Sequence, residues 1–389
     1  MTVKARSYRY LIMAGGTGGH IFPALAVAQQ LRERGADIQW LGTQHGMEST
    51  LIPTHNILLH SLVVKGFRGK SFLKKMLAPF LLVKAVVAAI LIIRRVAPDA
   101  VVGFGGYVAA PGGIAAFVLG KPLIIHEQNS VAGSTNKLLS LFATKKLEAF
   151  EGSLKGAVLV GNPVRKSVVD LLHDTDDKAG EVGQEAIEID ESVAHNHAQR
   201  TQNILIMGGS LGALAINSVL PDAVNSLPKG MAINIWHQTG KGKSQLVSKN
   251  YKDLNISARV DEFIEDVTAA YRWADLIICR AGALTVSEVS IAAVPAIFIP
   301  YPHAIDNHQY VNAQWLVKNN AAKMIEQSQL DALSLSTLLI DLLSDKQQMR
   351  NYSQALRKLS MPYSTLKIAN ICEKICLDNT TMRENKNAN

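Results

Sequence analysis

Two widely separated stretches of the chain follow one plan. The first reads Leu11-Ile12-Met13-Ala14-Gly15-Gly16-Thr17-Gly18-Gly19-His20 and leads into a helical pattern from Pro23 to Leu31. The second reads Leu205-Ile206-Met207-Gly208-Gly209-Ser210-Leu211-Gly212 and leads into Ala213 to Leu220. Each is an apolar strand, a Gly-Gly-(Thr/Ser)-x-Gly turn and a helix, which is the opening unit of a doubly wound α/β domain. Its recurrence predicts two such domains. Further short apolar runs fit the same alternation: Ile38–Leu41, Ala100–Gly103, Pro122–His126 and Ala157–Val160 in the first half, then Ile233–Trp236, Leu276–Cys279 and Ala296–Pro300 in the second. Strands alternating with helix-length segments predict parallel sheets, hence an α/β chain of two Rossmann-like domains facing a cleft.

At 389 residues the chain exceeds one ordinary core and suits two. The expected boundaries are 1–165 for the first domain, 166–202 for a linker, 203–360 for the second domain and 361–389 for a C-terminal helix. That helix is expected to pack back on the first domain, with a frayed polar tail from Thr380 onward. Within the linker, Asp174 to Glu191 holds eight acidic residues and one Lys, and a polar run from His195 to Gln202 follows. Such a composition predicts a solvated insertion.

Hydrophobic residues at 48% and charged residues at 19% are a globular composition. Three cysteines at no framework spacing argue for a reducing compartment. Cys372 and Cys376 would share a helix face and read as core or surface thiols rather than a metal site. Met1 to Tyr10 lacks an apolar segment ending in a cleavage site, so no signal peptide and a cytoplasmic location are expected.

The formal net charge of +8 is unevenly spread. From Lys65 to Val96 there are eight Lys or Arg residues and no acid, interleaved with large apolar side chains such as Phe67, Phe72, Leu77 and Phe80. That mixture suits an anionic membrane surface. Nucleic acid is the rival, but the apolar residues are mainly aliphatic and form no stacking series, so no nucleic-acid partner is expected. Leu77 to Ile93 falls short of the roughly 20 residues a membrane span needs and carries Lys84 at its centre. It reads as a buried crossover helix leading to the strand at Ala100.

A glycine turn between strand and helix lets backbone approach a pyrophosphate, and the helix start supplies N–H donors. A third such turn, Gly103-Phe104-Gly105-Gly106-Tyr107, leads to Pro111-Gly112-Gly113. Three together point to a phosphate or diphosphate ligand, although tight packing alone can also demand glycine. A dinucleotide site usually has an acid ending its second strand. Here Gly42 and Thr43 follow one such strand and His237 and Gln238 the other, which argues against a dehydrogenase. His20 ends the first loop at a helix start. It reads either as a polar cap or as a neutral imidazole able to take a proton from a hydroxyl. Glu288, in Gly282-Ala283-Leu284-Thr285-Val286-Ser287-Glu288, reads either as a first-turn acid opposing the helix dipole or as an acceptor for ribose hydroxyls. His303, Asp306, Asn307, His308 and Gln309 crowd one loop, as a metal site or a sugar-binding site would.

Taken together these residues resemble the MurG family, the UDP-N-acetylglucosamine–lipid I transferases of bacterial peptidoglycan synthesis. The resemblance runs from the first strand to near Tyr363. It rests on Gly15–His20, Gly105–Tyr107, His126-Glu127-Gln128-Asn129, Gly161-Asn162-Pro163-Val164-Arg165, Gly208–Ser210, Gly282–Glu288 and His308-Gln309, in that order. It implies a GT-B type fold, inversion at the sugar anomeric carbon and no tightly bound cofactor or metal, with UDP-N-acetylglucosamine as donor substrate. It places Thr17, Gly18, Gly19, Asn129, Arg165, Ser210, Ile264, Ala283, Leu284, Thr285, Val286, Ser287, Glu288 and Gln309 around that donor. Glu288 would hold the ribose, Gln309 and Asn129 the sugar, and Ser210 with its loop the phosphates. Gly15, Gly16, Gly105, Gly106 and Tyr107 would face the lipid I acceptor, and His20 is the family's candidate base.

The same resemblance implies a peripheral protein on the cytoplasmic face of the inner membrane. Two features depart from the family pattern. Leu211 stands where Gln is common, and the acidic stretch Asp174–Glu191 is longer than the usual connection. A UDP-sugar epimerase on a similar fold is the rival enzyme, and the basic-apolar stretch counts against it. A membrane-surface scaffold is the non-enzymatic rival, which would leave His20, Glu288 and Gln309 unexplained.

Overall fold

The structure, a computed structural model, describes residues 7–63, 78–172, 201–209 and 212–387. The acidic stretch Asp174–Glu191, the first part of the basic-apolar stretch, Ser210 and Leu211 lie outside the described residues. The chain divides into two compact units, one formed by Met1–Arg165 with Met361–Asn389 and the other by Lys166–Ser360.

The first unit alternates β1 (Arg9–Met13), α1 (Gly18–Glu33), β2 (Asp37–Thr43), α2 (Met47–Thr54), β3 (Leu58–Leu62), α3 (Ala78–Val96), β4 (Ala100–Gly103), α4 (Ala109–Val118), β5 (Leu123–Glu127), α5 (Ser134–Leu139), β6 (Lys145–Glu148) and β7 (Val158–Leu159). Its seven strands are parallel in the order β3-β2-β1-β4-β5-β6-β7. Leu11 of β1 pairs with Gln39 on one side and Val101 on the other. A strand in this central position is covered on both faces and therefore reads as a continuous apolar run. Tyr10 and Ile12 face one core layer, with Ala24, Val27 and Leu31 of α1. Leu11 and Met13 face the other, with Ala89 and Ile93 of α3 and Ala115 of α4.

α3 corrects the expectation of a buried crossover helix. It does cross from β3 to β4, but only Ala85, Ala89, Ile93 and Val96 are fully buried, with Ala88, Ile90 and Ile92 partly buried against the core. Phe80, Leu81, Val83, Val87 and Leu91 are exposed on its outer side. No helix among the described residues is long and apolar enough to cross a membrane.

The second unit runs through α6 (Lys166–Val169), β8 (Gln202–Met207), α7 (Leu214–Asn225), β9 (Ile233–Gln238), α8 (Ser244–Asp253), β10 (Arg259–Asp261), α9 (Val267–Trp273), β11 (Leu276–Cys279), α10 (Ala283–Ala292), β12 (Ala296–Phe298), α11 (His308–Lys318), β13 (Lys323–Met324), α12 (Ala332–Ser344) and α13 (Lys346–Leu359). Its six parallel strands follow the order β10-β9-β8-β11-β12-β13. Both sheets therefore reverse direction beside their first strand, at β1/β4 and at β8/β11. In open α/β sheets ligands bind outside the strand C-termini at such a switch point.

α14 (Ser364–Asn387) belongs to the first unit. Ile368, Cys372 and Cys376 recur every four residues, so they share one helix face and enter the core beside Tyr10. Both thiols are buried, and burial pushes the Cys376 thiol up to about 11. Arg34 closes the packing from α1 by donating to Asn370 Oδ1 and Glu373 Oε2, both at 2.7 Å. Ile368 is fully buried here. Ile368→Ala should therefore cost about 2–5 kcal/mol of stability in the first unit, measured as a lowered urea midpoint with an unchanged denaturant slope.

Candidate active site

Each predicted site residue of the first unit lies on a loop leaving the C-terminal end of β1, β4 or β5, or next to those loops. The β1–α1 loop carries Gly15 to Thr17, and Gly18 to His20 form the first turn of α1. Thr17 is the extended residue before α1, and its carbonyl accepts the His20 and Ile21 N–H groups at 3.1 and 3.3 Å. No side-chain hydrogen bond caps this helix, so His20 is not its cap. The loop is held from below by Glu48, a buried carboxylate at the start of α2. Its Oε2 accepts from Gly16 N at 3.2 Å, and its Oε1 accepts from Thr43 N and Thr43 Oγ1 at 2.9 and 2.7 Å.

The loop after β4 lies directly against the first. Gly106 has φ +81°, and a Cβ there would collide with the Gly15 carbonyl, so glycine is required on two grounds. A Cβ on Gly105 would sit 3.1 Å from the His20 ring, which places that ring close against the glycine. Tyr107 is exposed at 47% and available to a ligand. Gly112 and Gly113 do not line this loop. They lie inside α4, where side chains would collide with Met13 and Leu139, and they serve helix packing.

The β5 loop supplies a polar network. His20 Nδ1 lies 2.8 Å from Gln128 Oε1. Gln128 Nε2 is 2.9 Å from His126 Nδ1 and donates to the His126 carbonyl at 2.8 Å. His126 Nε2 lies 2.9 Å from the Gly161 carbonyl. Asn162 donates to the Gln128 carbonyl at 3.0 Å, and Asn136 donates to the His126 carbonyl at 3.0 Å. Glu127 accepts from Asn129 N, Gly133 N and Asn136 Nδ2, which fixes the turn that presents Asn129. Arg165 is exposed, with its guanidinium 5.8 Å from the Phe22 ring. Sequence reasoning quoted His126, Glu127 and Gln128 in a motif but gave only Asn129 a role. Their signal was three polar residues running from a strand end in an otherwise apolar core.

In the second unit, Ile264, residues 283–288 and Gln309 lie on segments following β10, β11 and β12. Gly212 plays the part that Gly106 plays above: its φ is +69° and a Cβ would collide with the Thr239 carbonyl. Helix α10 begins at Ala283, with no acid in its first turn. Glu288 therefore lies in the second turn, which corrects the first-turn reading, and the dipole-capping role goes with it. Its side chain is largely buried and accepts from Tyr271 OH at 3.0 Å. Gln309 Oε1 accepts from Tyr301 N at 3.0 Å, and His303 stacks edge-on to Tyr301. Among the described residues no group of three His, Cys, Asp or Glu side chains is arranged to hold a metal ion. Arg280, which the sequence did not mark, braces the β12 loop by donating to the Ile299 and Pro300 carbonyls at 3.0 and 3.1 Å.

The family model for the glycosyltransferase family 28 N-terminal domain matches residues 10–147, and that for its C-terminal domain matches residues 203–366. With two parallel sheets reversing at a glycine turn, these define a GT-B glycosyltransferase. A relative from Cellvibrio japonicus is 46% identical over 94% of this chain and 98% of its own length. It is named UDP-N-acetylglucosamine--N-acetylmuramyl-(pentapeptide) pyrophosphoryl-undecaprenol N-acetylglucosamine transferase. The crystal structure of Acinetobacter baumannii MurG is 38% identical with a TM-score of 0.78, covering 94% of this chain and 99% of that one. The chain belongs to glycosyltransferase family 28 and, within it, to the MurG family. A UDP-GlcNAc 2-epimerase from Neisseria meningitidis is 13% identical with a TM-score of 0.64, over 94% of this chain and 99% of that one, a likeness of fold alone.

Two buried rings carry a pH signature. Burial pushes His126 down to about 4, opposed by its bond to the Gly161 carbonyl, and burial pushes His237 down to about 3. Both are neutral when folded, while an unfolded histidine titrates near 6.5. Stability is thus fully present above pH 6.5 and falls as pH drops through 6.5 toward those folded values. Each ring contributes a slope of up to about 1.4 kcal/mol per pH unit. Urea unfolding at pH 7 and pH 5 should show the loss.

Proposed function

We propose that this chain transfers N-acetylglucosamine from UDP-N-acetylglucosamine to the C4 hydroxyl of the muramoyl sugar of undecaprenyl-pyrophosphoryl-MurNAc-pentapeptide (lipid I), with inversion, giving lipid II. Near-full-length identity to transferases of that name supports the reaction. The observation that carries the chemistry is His20, held beside Gly105 and bonded through Nδ1 to Gln128, while no described residue bonds its Nε2.

On this reading the acceptor hydroxyl attacks the donor's anomeric carbon and loses its proton to His20 Nε2. The bond from that carbon to the diphosphate breaks, and UDP leaves with the electron pair. Backbone N–H groups of the glycine turns and the Arg165 guanidinium meet its charge. Such stabilisation requires no tightly bound metal or cofactor. Glu288 and Gln309 bind the ribose and the sugar, Asn129 assists with the sugar, and Gly15, Gly16, Gly105, Gly106 and Tyr107 face the acceptor.

We read the outer side of α3 as the membrane-facing surface. Phe80, Leu81, Val83, Val87 and Leu91 are exposed there, with Phe117, Val118 and Leu141 exposed on α4 and the segment after α5. Apolar side chains that follow in sequence the basic run beginning at Lys65 suit an anionic bilayer surface. The chain then works as a peripheral protein on the cytoplasmic face of the inner membrane, where lipid I presents its sugar.

Incubation with labelled UDP-N-acetylglucosamine and a lipid I analogue should yield a labelled lipid disaccharide. Conversion of the donor to an epimer without acceptor, and no labelled lipid, would favour the epimerase. His20→Ala should lower kcat about 10²–10⁴-fold with UDP affinity nearly unchanged. An unaltered kcat under rate-limiting chemistry would remove His20 from the base role. Glu288→Gln should raise the donor KM steeply, since charge-assisted bonds contribute about 1.5–3 kcal/mol each, while the acceptor KM barely moves. Wild-type donor affinity in that variant would remove Glu288 from the ribose.

A further inference from the structure

We infer that Gln128 and His126 are positioning residues that fix the proton of His20 on Nδ1, so that its Nε2 lone pair is the one presented to the acceptor. The inference rests on the transferase reading for its consequence but not for its geometry.

Two backbone carbonyls, which can only accept, anchor the series. His126 Nε2 faces the Gly161 carbonyl at 2.9 Å, so that nitrogen carries the proton of the ring. His126 Nδ1 is then a lone pair and needs a donor. Gln128 Nε2 supplies it at 2.9 Å and also donates to the His126 carbonyl at 2.8 Å. Because a carbonyl cannot face another oxygen at that distance, the amide orientation is set: its nitrogen points at residue 126 and its oxygen at His20. Gln128 Oε1, 2.8 Å from His20 Nδ1, accepts and leaves Nδ1 as the protonated nitrogen. Each bond has one possible direction, and the series ends at His20 with a single neutral tautomer.

The surroundings hold the series rigid. Gln128 and His126 are buried, at 1% and 0% exposure. Burial keeps the His126 ring neutral, so Nδ1 remains an acceptor throughout the range in which such an enzyme works. Asn162 fixes the Gln128 carbonyl, and Asn136 fills the second lone pair of the His126 carbonyl. Phe104 lies against the His126 ring at 5.5 Å. No residue of the series need touch substrate. By holding Nδ1–H, the Gln128 amide sets which imidazole nitrogen of His20 reacts, in the place where a carboxylate is more usual.

The test has one arm that needs no substrate. In protein labelled with ¹⁵N-histidine and assigned with His20→Ala, neutral His20 should show a protonated Nδ1 and an unprotonated Nε2. Gln128→Met removes the acceptor, and His20 should then shift toward the Nε2–H form. In the transfer assay this variant should lose about 10–100-fold in kcat with donor KM within about twofold. His126→Phe keeps the ring packing and the backbone carbonyl at 126 but removes both the Nδ1 acceptor and the Nε2–H bond to the Gly161 carbonyl. Because Gln128 still donates to the 126 carbonyl, it should move tautomer and kcat in the same direction by less. A wild-type His20 protonated on Nε2 would overturn the inference, whatever the variants do. So would a shifted tautomer in Gln128→Met with undiminished kcat. A wild-type chain with the expected tautomer and no glycosyl transfer would instead overturn the transferase reading and leave the relay standing.

Discussion

Backbone meeting backbone beside the first strand of each sheet is the constraint from which both candidate site loops take their shape. In the first unit the loop after β4 reaches the loop after β1 so closely that Gly106 has no room for a Cβ beneath the Gly15 carbonyl. In the second unit Gly212 meets the Thr239 carbonyl in the same manner. Both residues also adopt positive φ, so any L side chain would carry strain as well as collision. Without those two glycines the loops would separate, and neither the His20 ring nor the start of α7 would hold its place at the sheet edge.

The loops beside His20 and Gln128, and the turn after β6, are held by buried carboxylates. Glu48, Glu127 and Glu148 are each nearly or fully buried, and each accepts from backbone N–H groups of the turn beside it. Charge-assisted bonds of this kind are shorter and stronger than neutral ones, and they stabilise a carboxylate away from water.

What could be read from the sequence was local in character. The glycine turns, the central strands and the recurrence of one unit lie within ten-residue windows, and they gave the fold class. The strands missed were the edge strand β3, whose Leu-Leu-His-Ser-Leu mixes apolar and polar residues, and three whose pattern is not apolar. β6 reads Lys-Lys-Leu-Glu because its Glu148 is buried for the sake of the turn that follows, and β10 and β13 are three and two residues long at sheet edges. Glu288 was misplaced by one helical turn because nothing in Gly282–Glu288 marks where the helix begins. The contact of His20 with Gln128 joins residues 108 apart, and no periodicity announces such a pair. A polar run inside an apolar strand end was the one hint available.

The position of α14 has a consequence for synthesis. Its residues Ile368, Ala369, Cys372 and Cys376 complete a core whose other members lie before residue 161. A ribosome releases the first unit's strands early, yet one apolar layer of that sheet stays uncovered until the last segment emerges. The second unit is contiguous in sequence and can close while the chain is still being made. The domain begun first is therefore finished last, and an early stop between residues 360 and 368 would release a chain with a complete second half and an open, aggregation-prone first one.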